Sequence, residues 1–287
     1  MPITLESIRE YYDQNTRLFL AFNRSRQADN IHRSVWMEGA QTLAEALNVS
    51  NDLIRAEIES VAKTNARIAD LGCGVGASLL YIIPRLQEPK PALGLTLSSV
   101  QERLAGHFAK QANREGQILF AEGDFTRVPL ASGSLDVVYS VEAVVHAPEP
   151  ERYFREAGRL LRRGGKLILV DDYLTERSLS QSESKWLRAY INGWRVPGIT
   201  TVQQTQTLAG KHHLQMIKND DLTPYLRLRH LPHALAQILL VIGNLLPLKH
   251  AILPSMLGSM ALQQCLHMQV IEYRFLVFEK QTADARP

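Results

Sequence analysis

The chain has 287 residues, 45% hydrophobic and 21% charged, an ordinary balance for a folded globular protein with room for one large domain or two small ones. A formal net charge of +3, with no basic run longer than Arg162-Arg163, argues against nucleic acid as a partner. The two cysteines, Cys73 and Cys265, form no CxxC pair, which argues against a disulfide framework or zinc knuckle and points to a reducing, cytoplasmic setting.

The opening "MPITLESIREYYDQN" is polar and acidic, with no apolar signal region. Residues 5 to 64 read as helices carrying "YYDQNTRLFLAF" and "NIHRSVW". From Arg67 to Tyr173 strands and helices alternate. "RIADLG" reads as a buried strand and "ASLLYIIPRL" as the start of a helix. "PALGLTLS" is a second strand, and Val100, Leu104, Phe108 and Ala112 mark one face of the helix after it. "QILFAEGD" is a third strand and "LDVVYSVE" a fourth. "PERYFREAGRLLRRGG" predicts a helix ending at Gly164, and "KLILVDDY" a fifth strand. Strands that are apolar throughout and separated by helices predict a parallel sheet covered on both faces.

After Tyr173 the alternation fails. Residues 175 to 212 read as mostly helical, with Trp186, Leu187, Tyr190 and Trp194 on one apolar stripe. "HLQMIKNDDLT" and "QVIEYRFLVFEK" read as two further strands. Between them "ALAQILLVIGNLL", residues 234 to 246, is almost wholly apolar, but Pro247, Lys249 and His250 end it short of the roughly 20 residues a spanning helix needs. Burial inside the protein is the first reading of this run; membrane-surface docking and lining of an oily pocket stay open. The expected architecture is α/β: a Rossmann-like, doubly wound, mostly parallel seven-stranded sheet. Residues 1–64 form an N-terminal helical cap, and 65–281 form the core, with helical cap insertions at about 175–212 and 224–265.

Gly72, Gly74 and Gly76 stand at the end of the first core strand, where an open parallel sheet binds its ligands and bare backbone permits close approach. No GK[ST] follows, which excludes a P-loop. A dinucleotide loop reads GxGxxG, whereas here the third glycine comes one residue early. The acid expected on the ribose is also missing, with Thr96 and Ser98 in its place. Asp124 and Phe125 end the third strand, suited to an adenine amino group and ring, or to a plain turn.

Together "IADLGCGVG", "LGLTLSSVQ", "EGDF" and "LLRRGGKLILVD" resemble the class I S-adenosylmethionine-dependent methyltransferases. More narrowly, "GLTLSSVQ" and "SVEAVVHAPEP" resemble the branch with sterol and tocopherol C-methyltransferases and cyclopropane fatty-acid synthases, and "EYYDQN" is similar to the N-terminal Tyr-Tyr-Asp element of the sterol-type enzymes. Arg163 replaces the usual proline of "LxPGG", and "LFLAFNR" stands where sterol enzymes carry "YEYGWG". The resemblance implies S-adenosylmethionine as cofactor and S-adenosylhomocysteine as product. Asp70, Gly72 and Gly74 would hold the methionine end, with Ser140 beside it. Thr96, Leu97 and Gln101 would cover the ribose, and Asp124 and Phe125 the adenine.

Glu142 and His146, in "SVEAVVHAPEP", are the candidate catalytic groups, with Tyr12 closing from the N-terminal region. A carboxylate or aromatic face stabilises a cation formed on an alkene acceptor, and a histidine takes up a proton near neutral pH. Local backbone capping by Glu142 and loop-holding by His146 are the alternatives. His32 and Trp36 are further candidates for the same cavity. His212-His213 lacks a third ligand at metal spacing, so no metal is expected. The apolar stretch from 224 to 264 argues for a lipophilic small-molecule acceptor, closure of the core or of a subunit interface being its alternative role; together with the resemblance, the expected activity is C-methylation of an isoprenoid or similarly lipophilic small molecule in secondary metabolism. O- or N-methylation of a hydrophobic natural product is the alternative, and a non-catalytic cofactor-binding scaffold a lesser one. Peripheral membrane contact and homo-oligomerisation stay open.

Overall fold

The computed structural model describes residues 3–24, 32–61, 66–88, 90–228 and 252–281. The apolar run 234–246, and with it much of the 224–265 insertion, lies outside the described residues.

Two helices lead, α1 (Leu5–Arg24) and α2 (Leu43–Val61). The alternating core follows: β1 (Ile68–Leu71), α3 (Ala77–Ile82), β2 (Ala92–Thr96), α4 (Ser99–Gln111), β3 (Ile118–Glu122), β4 (Leu135–Val141), α5 (Pro150–Leu160) and β5 (Leu161–Leu174). Next come α6 (Gln181–Trp194), α7 (Val202–Gly210), β6 (Leu214–Asp221), α8 (Ile252–His267) and β7 (Ile271–Lys280). The seven strands lie in the order β3-β2-β1-β4-β5-β7-β6. The first five are parallel, and β7 runs antiparallel to both β5 and β6. Strand order reverses between β1, which pairs with β2, and β4. The carboxyl ends of these strands therefore open a crevice at the glycine loop, where doubly wound sheets bind ligands.

Burial explains why each layer forms. All four residues of β1 are buried. One sheet face carries Ile68, Val137, Tyr139, Ile168 and Val170 against Ile54 and Ile58 of α2 and Leu79 of α3. The other carries Leu71, Val138, Leu167 and Leu169 against Tyr153, Phe154 and Leu160 of α5. Within residues 1–64, α2 thus packs as a sheet layer, and α1 contributes Leu5, Ile8, Tyr11 and Tyr12 to the wall of the crevice.

The helix expected to reach Gly164 ends four residues earlier. Its apolar stripe closes at Leu160, and Leu161 turns extended to pair with Leu135. The register then jumps to Val137 opposite Lys166, so Arg162, Arg163, Gly164 and Gly165 form an irregularity inside β5. Gly164 has φ +71°, and a Cβ on Gly165 would meet the Asp136 carbonyl at 2.8 Å. Both glycines serve this kink, not a helix cap.

The predicted stripe on α6 is buried against α8: Trp186 and Tyr190 pack with Ala261, Leu262, Cys265 and Leu266. The two helices cross backbone to backbone, since a Cβ on Gly193 would lie 2.5 Å from the Gly258 Cα. Gly193→Ala is expected to cost about 1–3 kcal/mol of stability through overpacking. A denaturant melt checks this, and an unchanged midpoint would contradict the crossing.

Candidate active site

A cavity of about 420 Å³ opens at the carboxyl ends of β1, β2, β3 and β4 and is roofed by α1. One half is the glycine loop and its neighbours: Gly72, Cys73, Gly74, Thr96, Leu97, Gln101, Asp124 and Phe125 line it. The other half holds Leu5, Ile8, Tyr11, Tyr12, Phe19, His32, Glu142, His146 and Trp194.

The glycines have separate reasons. Gly72, at φ +97°, would drive a Cβ to 2.4 Å from that of Ala143, and Gly76, at φ +79°, would drive one into the Phe120 ring at 2.4 Å. Those two serve packing. Gly74 has φ +54°, but a Cβ there meets nothing nearer than Gln101 Nε2 at 3.9 Å, so its bareness faces the cavity. The Gly72 and Cys73 amides both donate to the Leu95 carbonyl, at 2.8 and 2.9 Å, tying the loop to the end of β2.

On the next strand Thr96 Oγ1 donates to Gln101 Oε1 at 2.7 Å, which leaves the amide nitrogen of Gln101 as the donor near Gly74. Asp124 Oδ1 accepts the Thr126 amide at 2.8 Å, the plain turn, while Asp124 also lines the cavity beside Phe125. Phe125 is braced edge-on by Tyr153, with ring centroids 5.2 Å apart. Bare backbone at Gly74, an amide donor, a carboxylate and a braced ring fit an extended adenosyl-amino-acid ligand. Gly72, Gly74, Thr96, Leu97, Gln101, Asp124 and Phe125 could hold it.

Two predicted contacts lie beneath this wall instead. Ser140 is buried within β4, its hydroxyl spent on the Leu71 carbonyl (2.6 Å) and the Tyr153 hydroxyl (2.7 Å). It ties β4 to β1 and lines no part of the cavity. Asp70, 2% exposed inside β1, does not line it either. Burial pushes its carboxyl up to about 8, the Tyr139 hydroxyl offsetting only part. Both residues sit within strands, a layer below the loops that line the cavity.

The groups at the catalytic end come together. Tyr12 Oη lies 2.7 Å from His146 Nε2, and His146 Nδ1 lies 2.8 Å from the Arg195 carbonyl at the α6 C-terminus. A carbonyl only accepts, so Nδ1 carries the proton and Nε2 accepts from the Tyr12 hydroxyl. Burial pulls the His146 pKa below the ordinary value, outweighing the Arg195 carbonyl and the Glu142 and Asp172 charges that oppose it. The ring is therefore neutral near pH 7.

Glu142 ends β4 with φ +50°, a left-handed backbone uncommon for glutamate and the kind of strain found at functional sites. Its amide donates to the Val170 carbonyl at 2.7 Å. Oε1 accepts from the Arg33 amide at 3.0 Å and the Tyr273 hydroxyl at 2.8 Å. Burial works to raise this carboxyl, but the Arg33 charge, His32 and those two hydrogen bonds hold it below the usual range. Glu142 is thus an ionised carboxylate in an apolar cavity.

A buried scaffold that sequence reading missed supports it. The Arg33 guanidinium clamps Asp172 through both nitrogens, Nη2 to Oδ2 at 2.6 Å, and lies 4.6 Å from the Tyr273 ring centroid. Tyr190 Oη also donates to Asp172. Asp171 accepts the Val144 and Val145 amides, at 2.9 and 3.2 Å, and so holds the turn bearing His146. Burial, then the Asp172 charge, push Asp171 up to about 8. The adjacent acids in "VDDY" at a strand's carboxyl end were the signal for these two; nothing local marks Arg33 or Tyr273.

His32 joins the cavity wall, its Nε2 3.0 Å from Ser78 Oγ. Trp36 does not: it lies under the Arg227 guanidinium, 3.3 Å from its ring centroid. Among the described residues no group of three or more His, Cys, Asp or Glu could hold a metal, and no helix is long and apolar enough to cross a membrane.

Residues 69–169 match the family model described as a methyltransferase domain. The 27-O-demethylrifamycin SV methyltransferase of Amycolatopsis mediterranei is 26% identical over 69% of this chain and 71% of its own length. A sterol 24-C-methyltransferase of Gibberella zeae is 34% identical over 40% of this chain, which spans 30% of that protein. Among solved structures, a geranyl diphosphate methyltransferase bound to geranyl diphosphate and sinefungin superposes with TM-score 0.76 at 16% identity, covering 96% of this chain and 99% of that one. Residues 69–169 are thus a methyltransferase domain, and the relatives and the shared fold together support a class I S-adenosylmethionine-dependent methyltransferase.

Proposed function

We propose that the protein transfers a methyl group from S-adenosylmethionine to carbon of an isoprenoid or similarly lipophilic small molecule. The observation that carries this reading is the makeup of the acceptor half of the cavity. Leu5, Ile8, Tyr11, Phe19 and Trp194 supply apolar and aromatic wall, and among the described residues that line it there is no Lys or Arg. Apolar contact of this kind contributes about 25 cal/mol per Å² and holds an acceptor without polar handles.

Bound S-adenosylmethionine supplies an electrophilic methyl on sulfonium. The walls orient the acceptor's alkene in line with it and exclude water. Transfer would form the new C–CH3 bond with the alkene's π pair as the S–CH3 bond breaks and its pair returns to sulfur, leaving S-adenosylhomocysteine; the positive charge left on the neighbouring carbon would lie in the cavity that the Glu142 carboxylate lines. A low-dielectric site makes that pairing strong without reorganisation. Tyr12 then takes the proton lost from the cation while passing its own to His146 Nε2, and the C–H electron pair closes a new alkene.

O-methylation is the second reading. The Tyr12–His146 pair would serve equally as base for an acceptor hydroxyl, and a relative from Arabidopsis thaliana, 27% identical over 57% of this chain, is by name a tocopherol O-methyltransferase. Isotope-labelled methyl donor, a panel of neutral prenylated and hydroxylated acceptors, and NMR of the product separate the two.

Either reading needs neutral His146. Because burial holds its folded pKa below the ordinary 6.5, the acid limb of the turnover profile should have its midpoint below pH 6.5. A kcat profile with its acid limb at or above 6.5 would contradict this.

A further inference from the structure

We infer that Asp13 is a positioning residue that latches α1 over the bound cofactor and thereby seats Tyr12 against His146. This rests on the methyltransferase assignment and is independent of which acceptor is methylated.

Three consecutive residues of α1 each reach a different wall. Tyr11 Oη accepts from Ser255 Oγ of α8 at 3.0 Å. Tyr12 meets His146, in the turn after β4, at 2.7 Å. Asp13 Oδ1 accepts from the Ser98 hydroxyl, after β2, and lies 3.5 Å from the Val100 amide. Successive helical side chains point about 100° apart, so three of them fan over roughly 200° and pin the helix from both sides.

The sheet order gives this arrangement its meaning. β1 lies between β2 and β4, and the glycine loop follows β1. The Ser98 and His146 attachments therefore straddle the cradle, and α1 bridges it. Ser98 also accepts the Gln101 amide at 3.1 Å as the cap of α4, and Gln101 is the residue bonded to Thr96 in the cofactor wall. The Asp13 bond thus runs directly into the cofactor-facing network. A ligand in the cradle lies under α1, and its escape requires the straddling contacts to let go.

Asp13 is one residue from Tyr12 on a rigid helix, so losing the Ser98 bond also loosens the Tyr12–His146 contact. Asparagine keeps an acceptor oxygen for Ser98 and Val100 but loses the charge; alanine keeps neither. A hydrogen bond to a charged group is strong enough to slow escape about tenfold or more.

The test is S-adenosylhomocysteine dissociation from the full chain, followed by stopped-flow displacement, with thermal unfolding measured alongside. Asp13→Ala should release the ligand about tenfold faster while still unfolding in a cooperative transition well above the assay temperature, and Asp13→Asn should fall between it and wild type. A wild-type release rate in folded Asp13→Ala overturns the latch. If that variant does not fold, hydrogen exchange on the wild-type protein decides. Residues 8–16 should gain protection when S-adenosylhomocysteine binds, and unchanged exchange there overturns the proposal. Neither measurement uses an acceptor, so a wrong acceptor assignment leaves both readable.

Discussion

Gly74→Asp is expected to abolish measurable binding of S-adenosylmethionine and S-adenosylhomocysteine while leaving the protein folded. Three observations combine here. Gly74 has a left-handed backbone that aspartate tolerates better than most residues, and a Cβ there would meet no protein atom within 3.9 Å. The new side chain therefore enters the cavity, not the core. It brings a carboxylate to the position read as the methionine end, whose own carboxylate it would face. Like-charge juxtaposition of this kind costs several kcal/mol, about two orders of magnitude or more in Kd. Gly76→Ala is the informative contrast. Its Cβ would strike the Phe120 ring at 2.4 Å, so it should unfold the protein more readily than it selects against ligand. Calorimetry of both variants with S-adenosylhomocysteine, beside their thermal melts, checks the pair. Retained binding in Gly74→Asp would remove the loop from the cofactor site.

Glu142→Gln is expected to lower kcat about 100-fold, roughly 3 kcal/mol of transition-state stabilisation, with cofactor affinity near wild type. Glutamine is nearly isosteric and keeps the oxygen that accepts from the Arg33 amide and the Tyr273 hydroxyl. The strained turn at φ +50° is thus still anchored, and only the charge is gone. If carbon is methylated, the developing cation loses its counter-charge and the full effect appears. If oxygen is methylated, the penalty falls on His146 instead, and Glu142→Gln should approach wild-type turnover. Single-turnover rates measured with saturating cofactor make the comparison free of binding effects.

Much of this was legible because it is local. Five apolar strands alternating with helices specify a covered parallel sheet, and three glycines at the end of the first mark the strand end where the cavity opens. Gly72, Gly74, Thr96, Leu97, Gln101, Asp124 and Phe125 all line the cavity, because Thr96 is the last residue of its strand and each of the others falls in a loop or first helical turn just past one. Asp70 and Ser140 do not, for the same reason turned round: each is still inside its strand, where hydroxyls and carboxyls are spent on neighbouring strands. The end of α5 was misplaced because Leu161-Arg162-Arg163 continues a helical pattern, and only pairing of Leu161 with Leu135 draws it into the sheet.

The supporting scaffold was not legible. Arg33 meets Asp172 139 positions away, Tyr273 meets Glu142 131 positions away, and Ser98 meets Asp13 85 positions away. Hydrophobic period says nothing about such pairs, which join segments far apart in the chain. Tyr12 and His146 were found as separate candidates; their 2.7 Å contact, and the tautomer it implies, needed the fold.

The most direct test of the central claim is transfer itself. The purified protein is incubated with methyl-labelled S-adenosylmethionine and a panel running from neutral prenylated compounds to small polar amines and hydroxyl compounds. Products are identified by mass and NMR. Label appearing on a carbon of a neutral lipophilic acceptor, and not on the small polar ones, is the predicted result. Label found only on small polar acceptors, or tight cofactor binding with no transfer to any lipophilic compound, would contradict it.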